Sequence, residues 1–256
     1  MLRRVLILFG NELNTKQLLE TGQALKNRYN CEVKALYVKD VRKHEIIPPS
    51  VEGLVIDPSS RYIVEEWDRF ENEQIEKLKE NLKGFATDDI IIREGVTPDT
   101  ALEEMKAYDL LVVGKGTRIS ADLKELLKYH YKPLLIIGDK PINLNCVLLA
   151  NDKSFRINKS FFRFMSIFTD VNEFGSISVG LHEEEDNSLK EYLKGTGKFI
   201  TEKEVNGDEF EEIEKEAENC GTLIMGDLTH SYILEKITGH AGVKLIENIK
   251  IPIFIA

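Results

Sequence analysis

Cysteine and tryptophan are scarce among the 256 residues: three cysteines, Cys31, Cys146 and Cys220, and a single tryptophan, Trp67. The cysteines lie far apart and none forms a C-x-x-C pair, so neither a zinc knuckle nor a disulfide framework is indicated. A reducing cytoplasm fits that usage. Cys220, at the start of an apolar run, reads as a buried and inert thiol. Histidine is sparse as well, and His130, His182, His230 and His240 do not fall at metal-ligand spacing, so they read as lone surface or loop residues. Positive charge is short: 34 Lys and Arg against 44 Asp and Glu give a net charge of −10. That balance argues against nucleic acid or an anionic membrane as partner, since both need a concentrated positive field. No stretch approaches the roughly 20 apolar residues of a membrane span. The opening "MLRRVLILFG" has the charged-then-apolar look of an export signal, but "NELN" cuts the apolar run short and no small-residue cleavage site follows.

The chain is 42% hydrophobic and 30% charged, the composition of a soluble globular protein with material for one large or two modest domains. One pattern is written twice. "RRVLILFGNE" and "NCVLLANDKS" each give an apolar run that ends in polar loop residues, followed by a helical pattern in "NTKQLLETGQALKNRYN" and in "NKSFFRFMSIFTDVNEF". A second strand comes next, "CEVKALYVKD" or "GSISVGLHEE". Further on, "TPDTALEEMKAYDLLVVGKGT" parallels "NGDEFEEIEKEAENCGTLIMGDLT": an acidic helix runs into a buried strand that stops at glycine. A proline-led apolar strand, "KPLLIIGD" or "IPIFIA", closes each half.

Apolar strands alternating with helices describe a mostly parallel sheet covered on both faces. The expected fold class is therefore α/β, with two tandem doubly wound domains of about five strands each, over residues 1–140 and 145–256. The Gly, Pro and Asn cluster of "GDKPINLN" marks the boundary. Val5 and Val147 are 142 positions apart, Gly114 and Gly226 only 112, so the first half carries 30 extra residues. They fall near 43–84, where a Pro-rich stretch reads as a loop and the residues from about Arg61 onward read as a long exposed helix carrying Trp67. The second half is longer elsewhere: Gly226 to Pro252 spans 26 positions, Gly114 to Pro133 spans 19.

Ligands of doubly wound sheets settle at the carboxyl ends of strands where the strand order reverses, and phosphates settle on glycine loops at helix N-termini. In the second half Asp152 and Ser154 follow the first strand, with the carboxylate placed to accept from an adenine amino group or a ribose hydroxyl. Gly226 ends the fourth strand, Thr229 follows, and Gly239 with His240 precedes the last helix. As plain turn and helix-boundary residues the two glycines would be equally ordinary.

Each half resembles a universal stress protein domain, whose nucleotide-binding members carry an aspartate after the first strand and G-x2-G-x9-G-[ST] after the fourth. Residues 226–240 read G-x2-T-x9-G-H. The resemblance covers the whole chain as two copies and implies an adenine nucleotide, ATP or a relative, with Mg²⁺. It also places Ala150, Met225 and Ala241 against that nucleotide. Thr229 stands where the middle glycine would be, and His240 replaces the small hydroxyl residue. In the first half Gly10 or Asn11 occupies the aspartate position and no second glycine follows Gly114 at the family spacing, so that copy reads as degenerate and structural. The resemblance further implies that the two closing strands meet in an intrachain pseudo-dimer, with a further homodimer left open. The alternative is a nucleotide-free scaffold, both sites degenerate, that meets an unidentified protein partner through the insert around Trp67. No general base is evident, so at most a slow ATP hydrolysis is expected. "GKGT" lacks the frame of a P-loop, and neither first-strand loop supplies the pyrophosphate loop of an amidating synthetase.

Overall fold

The computed structural model of the chain describes residues 1–10, 14–43, 58–85, 89–180, 188–227 and 241–256. Its first half runs β1 (Arg4–Phe9), α1 (Thr15–Tyr29), β2 (Glu32–Asp40), α2 (Pro58–Leu82), β3 (Asp89–Gly95), α3 (Thr97–Glu104), β4 (Leu110–Gly114), α4 (Ala121–Tyr129) and β5 (Leu134–Ile137). The second repeats the order as β6 (Val147–Ala150), α5 (Phe155–Ile167), β7 (Glu173–Val179), α6 (Ser188–Gly195), β8 (Phe199–Val205), α7 (Glu209–Ala217), β9 (Thr222–Ile224), α8 (Ala241–Asn248) and β10 (Ile253–Ile255).

The ten described strands join one sheet in the order β3-β2-β1-β4-β5-β10-β9-β6-β7-β8. Within each half the pairing is parallel. At the centre β5 and β10 run antiparallel, with Ile136 opposite Ile253 and Leu134 opposite Ile255. The two closing strands thus pair within the chain, a choice their apolar composition left undecided.

Side chains alternate across a strand, and here both faces are buried. Ile7, Val112, Leu135, Leu149 and Phe254 point to the face covered by α1, α2, α5 and α6. Leu8, Val113, Ile136, Leu148 and Ile253 point to the face covered by α3, α4, α7 and α8. Each core runs across the β5–β10 seam, so the halves share their apolar interior. Polar contacts between the halves reinforce it: Arg28 Nε and Tyr29 Oη on α1 donate to Asp170, at 2.6 and 2.5 Å, beyond the end of α5.

The insert reads partly as expected. α2 is a 25-residue helix that begins at Pro58, three residues earlier than Arg61, because proline suits the first helical turn. It replaces the eight-residue α6 of the second half. Ile75, Leu78 and Leu82 form its buried stripe. Trp67 and Phe70 stay 38% and 41% exposed and meet edge to face at 6.2 Å. Residues 44–57, the Pro-rich part of the insert, lie outside the described residues.

Candidate functional site

In each half the strand order reverses beside the first strand, between β1 and β4 and again between β6 and β9. At the second reversal the chain leaves β6 through Asn151, whose amide still donates to Ile177 O at 2.8 Å. Asn151 Oδ1 then accepts from Lys153 N, and Asp152 Oδ1 from Ser154 N, both at 2.9 Å. These local side-chain turns bend the backbone sharply, with Lys153 at φ +57°. Ser154 caps α5 by accepting from Ile157 N at 3.4 Å. The loop therefore delivers a helix N-terminus, with its free amides and partial positive charge, to the rim of the sheet.

Beside it, β9 is followed by buried Met225 and by Gly226. Gly226 faces the first turn of α5: a Cβ there would lie 3.4 Å from Ile157 N and 3.5 Å from Arg156 Cβ, ordinary contact distances. Packing against these described neighbours does not by itself require a glycine at this position. Of the nine residues singled out in the sequence, Ala150, Asp152, Ser154, Met225 and Gly226 come together at these two adjacent strand ends. Thr229, Gly239 and His240 lie outside the described residues, and of Ala241 only the backbone, at the start of α8, is described.

Three charged residues here escaped the sequence reading. Arg156, half-buried on the first turn of α5 next to Gly226, has no hydrogen-bond or ion-pair partner among the described residues. Lys159, one turn on, binds Asp227 Oδ2 at 2.9 Å. Glu209, at the start of α7, has its carboxyl pushed up by burial first and then by the charges of Asp152 and Asp208. The rim is therefore polarised, with carboxylates on the Asp152 side and cations along α5. An arginine beside Gly226 with no partner among the described residues was the available signal, and it was hidden because nothing in "NDKSFRINK" tells which of its basic residues already has a partner.

His130 corrects another reading. It is a buried residue of the first half, capping α4, and its Nε2 stands 3.5 Å from Asp227 Oδ1 across the seam. The matching residue of the first half crosses in the opposite sense: buried Lys115, after Gly114, donates through Nζ to Glu247 O at 2.8 Å. Burial lowers the pKa of that lysine. The residue after each strand-ending glycine thus touches the other half.

The first reversal is built differently. Asn14, at the N-terminus of α1, donates its side-chain amide to Lys115 O, Ile137 O and Gly138 O at 2.8, 2.9 and 3.0 Å. It ties the helix onto the ends of β4 and β5, whereas Ser154 at the corresponding place caps its own helix. Arg42 closes the far side. Its side chain bridges Asp40 and Asp122, and Thr97 Oγ1 donates to Asp40 at 2.7 Å. The cavity left between Phe9, Tyr37, Asp40, Thr97, Gly114 and Asp122 holds about 210 Å³, below the ~300–1,000 Å³ of pockets that take drug-sized ligands.

That bridge has a pH signature. The Arg42 hydrogen bonds, helped by Thr97, hold the Asp40 carboxyl well below the usual carboxylate range against the opposing effect of burial. A depressed folded pKa contributes stability that is fully present above the unfolded value, about pH 3.9, and is lost as pH falls toward the folded one. Arg42→Ala removes most of that contribution. Its melting temperature should fall less steeply than that of the parent chain below about pH 4, measured by circular dichroism between neutral pH and pH 2. Parallel curves would show that the bridge does not set the acid limb.

A universal stress protein from Archaeoglobus fulgidus DSM 4304 superposes on this chain with a TM-score of 0.76 at 15% identity, covering 99% of this chain and 95% of that one. The chain has the universal stress protein fold, written twice. A protein of unknown function from Pseudomonas aeruginosa PAO1 is similar over 99% of this chain and 92% of its own, with a TM-score of 0.56 at 11% identity. No protein-family model matches the sequence, and no curated protein matches it. In the universal stress protein fold seen here, the strand order, the central antiparallel seam and both reversal points follow from the topology alone. The residues at those points are this chain's own. No described helix is long and apolar enough to cross a membrane.

Proposed function

We propose that the chain is a universal stress protein-like regulator that binds an adenine nucleotide, ATP or a close relative, in its second half. The observation that carries this reading is the convergence of Asp152, Gly226 and Arg156, which has no partner among the described residues, at one strand-order reversal. Residues 145–256 are the binding domain in this proposal; residues 1–140, with the insert near 43–84, are the degenerate copy. Ala150 and Met225 flank the base, and Asp152 accepts from ribose hydroxyls or the adenine amine. The phosphates go to the segment containing Gly226, Thr229, Gly239, His240 and Ala241, with Arg156 and the N-terminus of α5 supplying positive field. Threonine hydroxyl and imidazole N–H both supply donors in place of the family's glycine and serine. Mg²⁺ accompanies the nucleotide on its phosphates, its usual mode of arrival. The function is occupancy-dependent regulation in the cytoplasm, read by a protein partner, with no turnover step assigned.

Isothermal titration of the full chain with Mg-ATP tests it. Expected is a dissociation constant below millimolar that Gly239→Arg weakens at least tenfold, about 1.4 kcal/mol. A flat titration, or one that Gly239→Arg leaves unchanged, overturns the proposal.

A second reading draws on the exposed Trp67 and Phe70 of α2: a nucleotide-free scaffold whose work is done by that helix. Mass spectrometry of small molecules released from freshly purified, denatured protein separates the two. Retained adenine nucleotide supports the first; its absence together with a flat titration supports the second.

A further inference from the structure

At the end of the sheet opposite the candidate site, two of the three cysteines meet. Cys146 immediately precedes β6, and Cys220 lies just before β9. Gly221 N and Thr222 N both donate to Cys146 O, at 2.8 and 3.2 Å, so the β6–β9 pairing starts here. Although 74 positions apart in sequence, the thiols touch: Cys146 Sγ donates to Cys220 Sγ at 2.8 Å. The surrounding backbone holds this arrangement tightly. A Cβ on Gly221 would come within 2.4 Å of Asn143 O, and Thr222 Oγ1 donates to that same oxygen at 2.8 Å. The segment joining the halves is thereby pinned beside the cysteines. Cys146 is exposed, Cys220 half-buried and Cys31 buried.

We propose that Cys146 and Cys220 form an oxidative modification site, converted reversibly to a disulfide by a peroxide. Neighbouring strands lie about 4.8 Å apart, within the reach of a disulfide, and the two sulfurs must close to about 2.05 Å. Cys146, the exposed partner, attacks first. Its sulfur takes an oxygen from hydrogen peroxide, the O–O bond breaks, and sulfenic acid and one water result. Cys220 Sγ then attacks the sulfenic sulfur; the S–S bond forms, the S–O bond breaks, and the oxygen leaves with the thiol proton as a second water. Two electrons pass from the thiol pair to the peroxide, and a dithiol reductant returns them. Burial pushes the Cys220 thiol up, which disfavours its thiolate and so its own direct attack on peroxide. A transient bond of this kind is compatible with a reducing cytoplasm, where disulfides in ordinary proteins are chiefly redox-sensing or catalytic. The inference does not rest on nucleotide binding.

The test is peptide mapping of the full chain after stoichiometric hydrogen peroxide and alkylation. Expected is a Cys146–Cys220 cross-linked peptide pair two hydrogens lighter than its parts, lost on treatment with dithiothreitol, while Cys31 is alkylated only after unfolding. In Cys220→Ser the resolving thiol is gone, so Cys146 should advance to sulfinic or sulfonic acid instead. Alkylation of both Cys146 and Cys220 in peroxide-treated wild type would overturn the proposal. So would over-oxidation of Cys146 in wild type to the extent seen in Cys220→Ser.

Discussion

Arg156→Glu weakens ATP binding by roughly 10- to 100-fold and leaves adenosine binding within about twofold, because a charge-assisted contact to phosphate contributes on the order of 1.5–3 kcal/mol. The argument begins from what Arg156 does without a ligand. It sits on the first turn of α5 beside Gly226 and, among the described residues, bonds to nothing. A side chain with no partner has little folding role, so its reversal should leave the melting temperature within a few degrees of wild type. Lys159, by contrast, already neutralises Asp227, and Lys153 Nζ lies 3.2 Å from Glu204. Among the described residues of this face, Arg156 is therefore the cation available to an incoming anion. Adenosine is the control that separates phosphate recognition from general damage, since it keeps the ribose and base contacts assigned to Asp152. Isothermal titration of both ligands into both proteins reads the difference. Equal loss for ATP and adenosine, or no loss for either, would falsify the assignment of Arg156 to phosphate.

The contrast between Arg156 and Gly226 shows where a linear sequence stops being informative. Gly226 was visible because the pattern around it occurs twice, and the second copy is seven residues longer up to its closing proline. Helix and strand order were legible for the same reason: period 2 and period 3.6 are local properties. The closing strands announced burial through their composition, yet pairing within or between chains depends on distant geometry. Arg42, Asn14 and His130 were missed because each acts on a partner far away in sequence: Asp122, Gly138 and Asp227. Charged and amide side chains carry no spacing rule across such distances. Cys220 illustrates the same limit, since its neighbour Cys146 is brought close only by the register of β6 against β9. The segment 228–240, which holds Thr229, Gly239 and His240, lies outside the described residues, so their roles rest on spacing and on the titration above.

Phe254→Ala should lower the unfolding free energy by about 3–5 kcal/mol, the range for truncating a buried phenylalanine. That is a large share of the ~5–15 kcal/mol typical of folded proteins. Phe254 lies on β10, fully buried, opposite Leu135 across the antiparallel seam. Its ring meets Phe164 of α5 at 5.1 Å, perpendicular, and Phe168, just past the end of α5, at 6.0 Å, both edge to face. Tyr29 of the first half packs against Phe168 at 5.6 Å and extends the cluster over the seam. Alanine would leave a void that the short strands on either side, β5 and β9, cannot collapse into without breaking register. Because both cores are continuous across the seam, the loss should appear as one urea transition moved to lower denaturant with its slope kept, rather than as two. Phe199→Ala, on the edge strand β8 where the ring is 62% exposed, should cost less than about 1 kcal/mol. If Phe254→Ala instead splits the transition and leaves one half at its original midpoint, the halves fold independently and the seam is a contact between two finished domains rather than part of a common core.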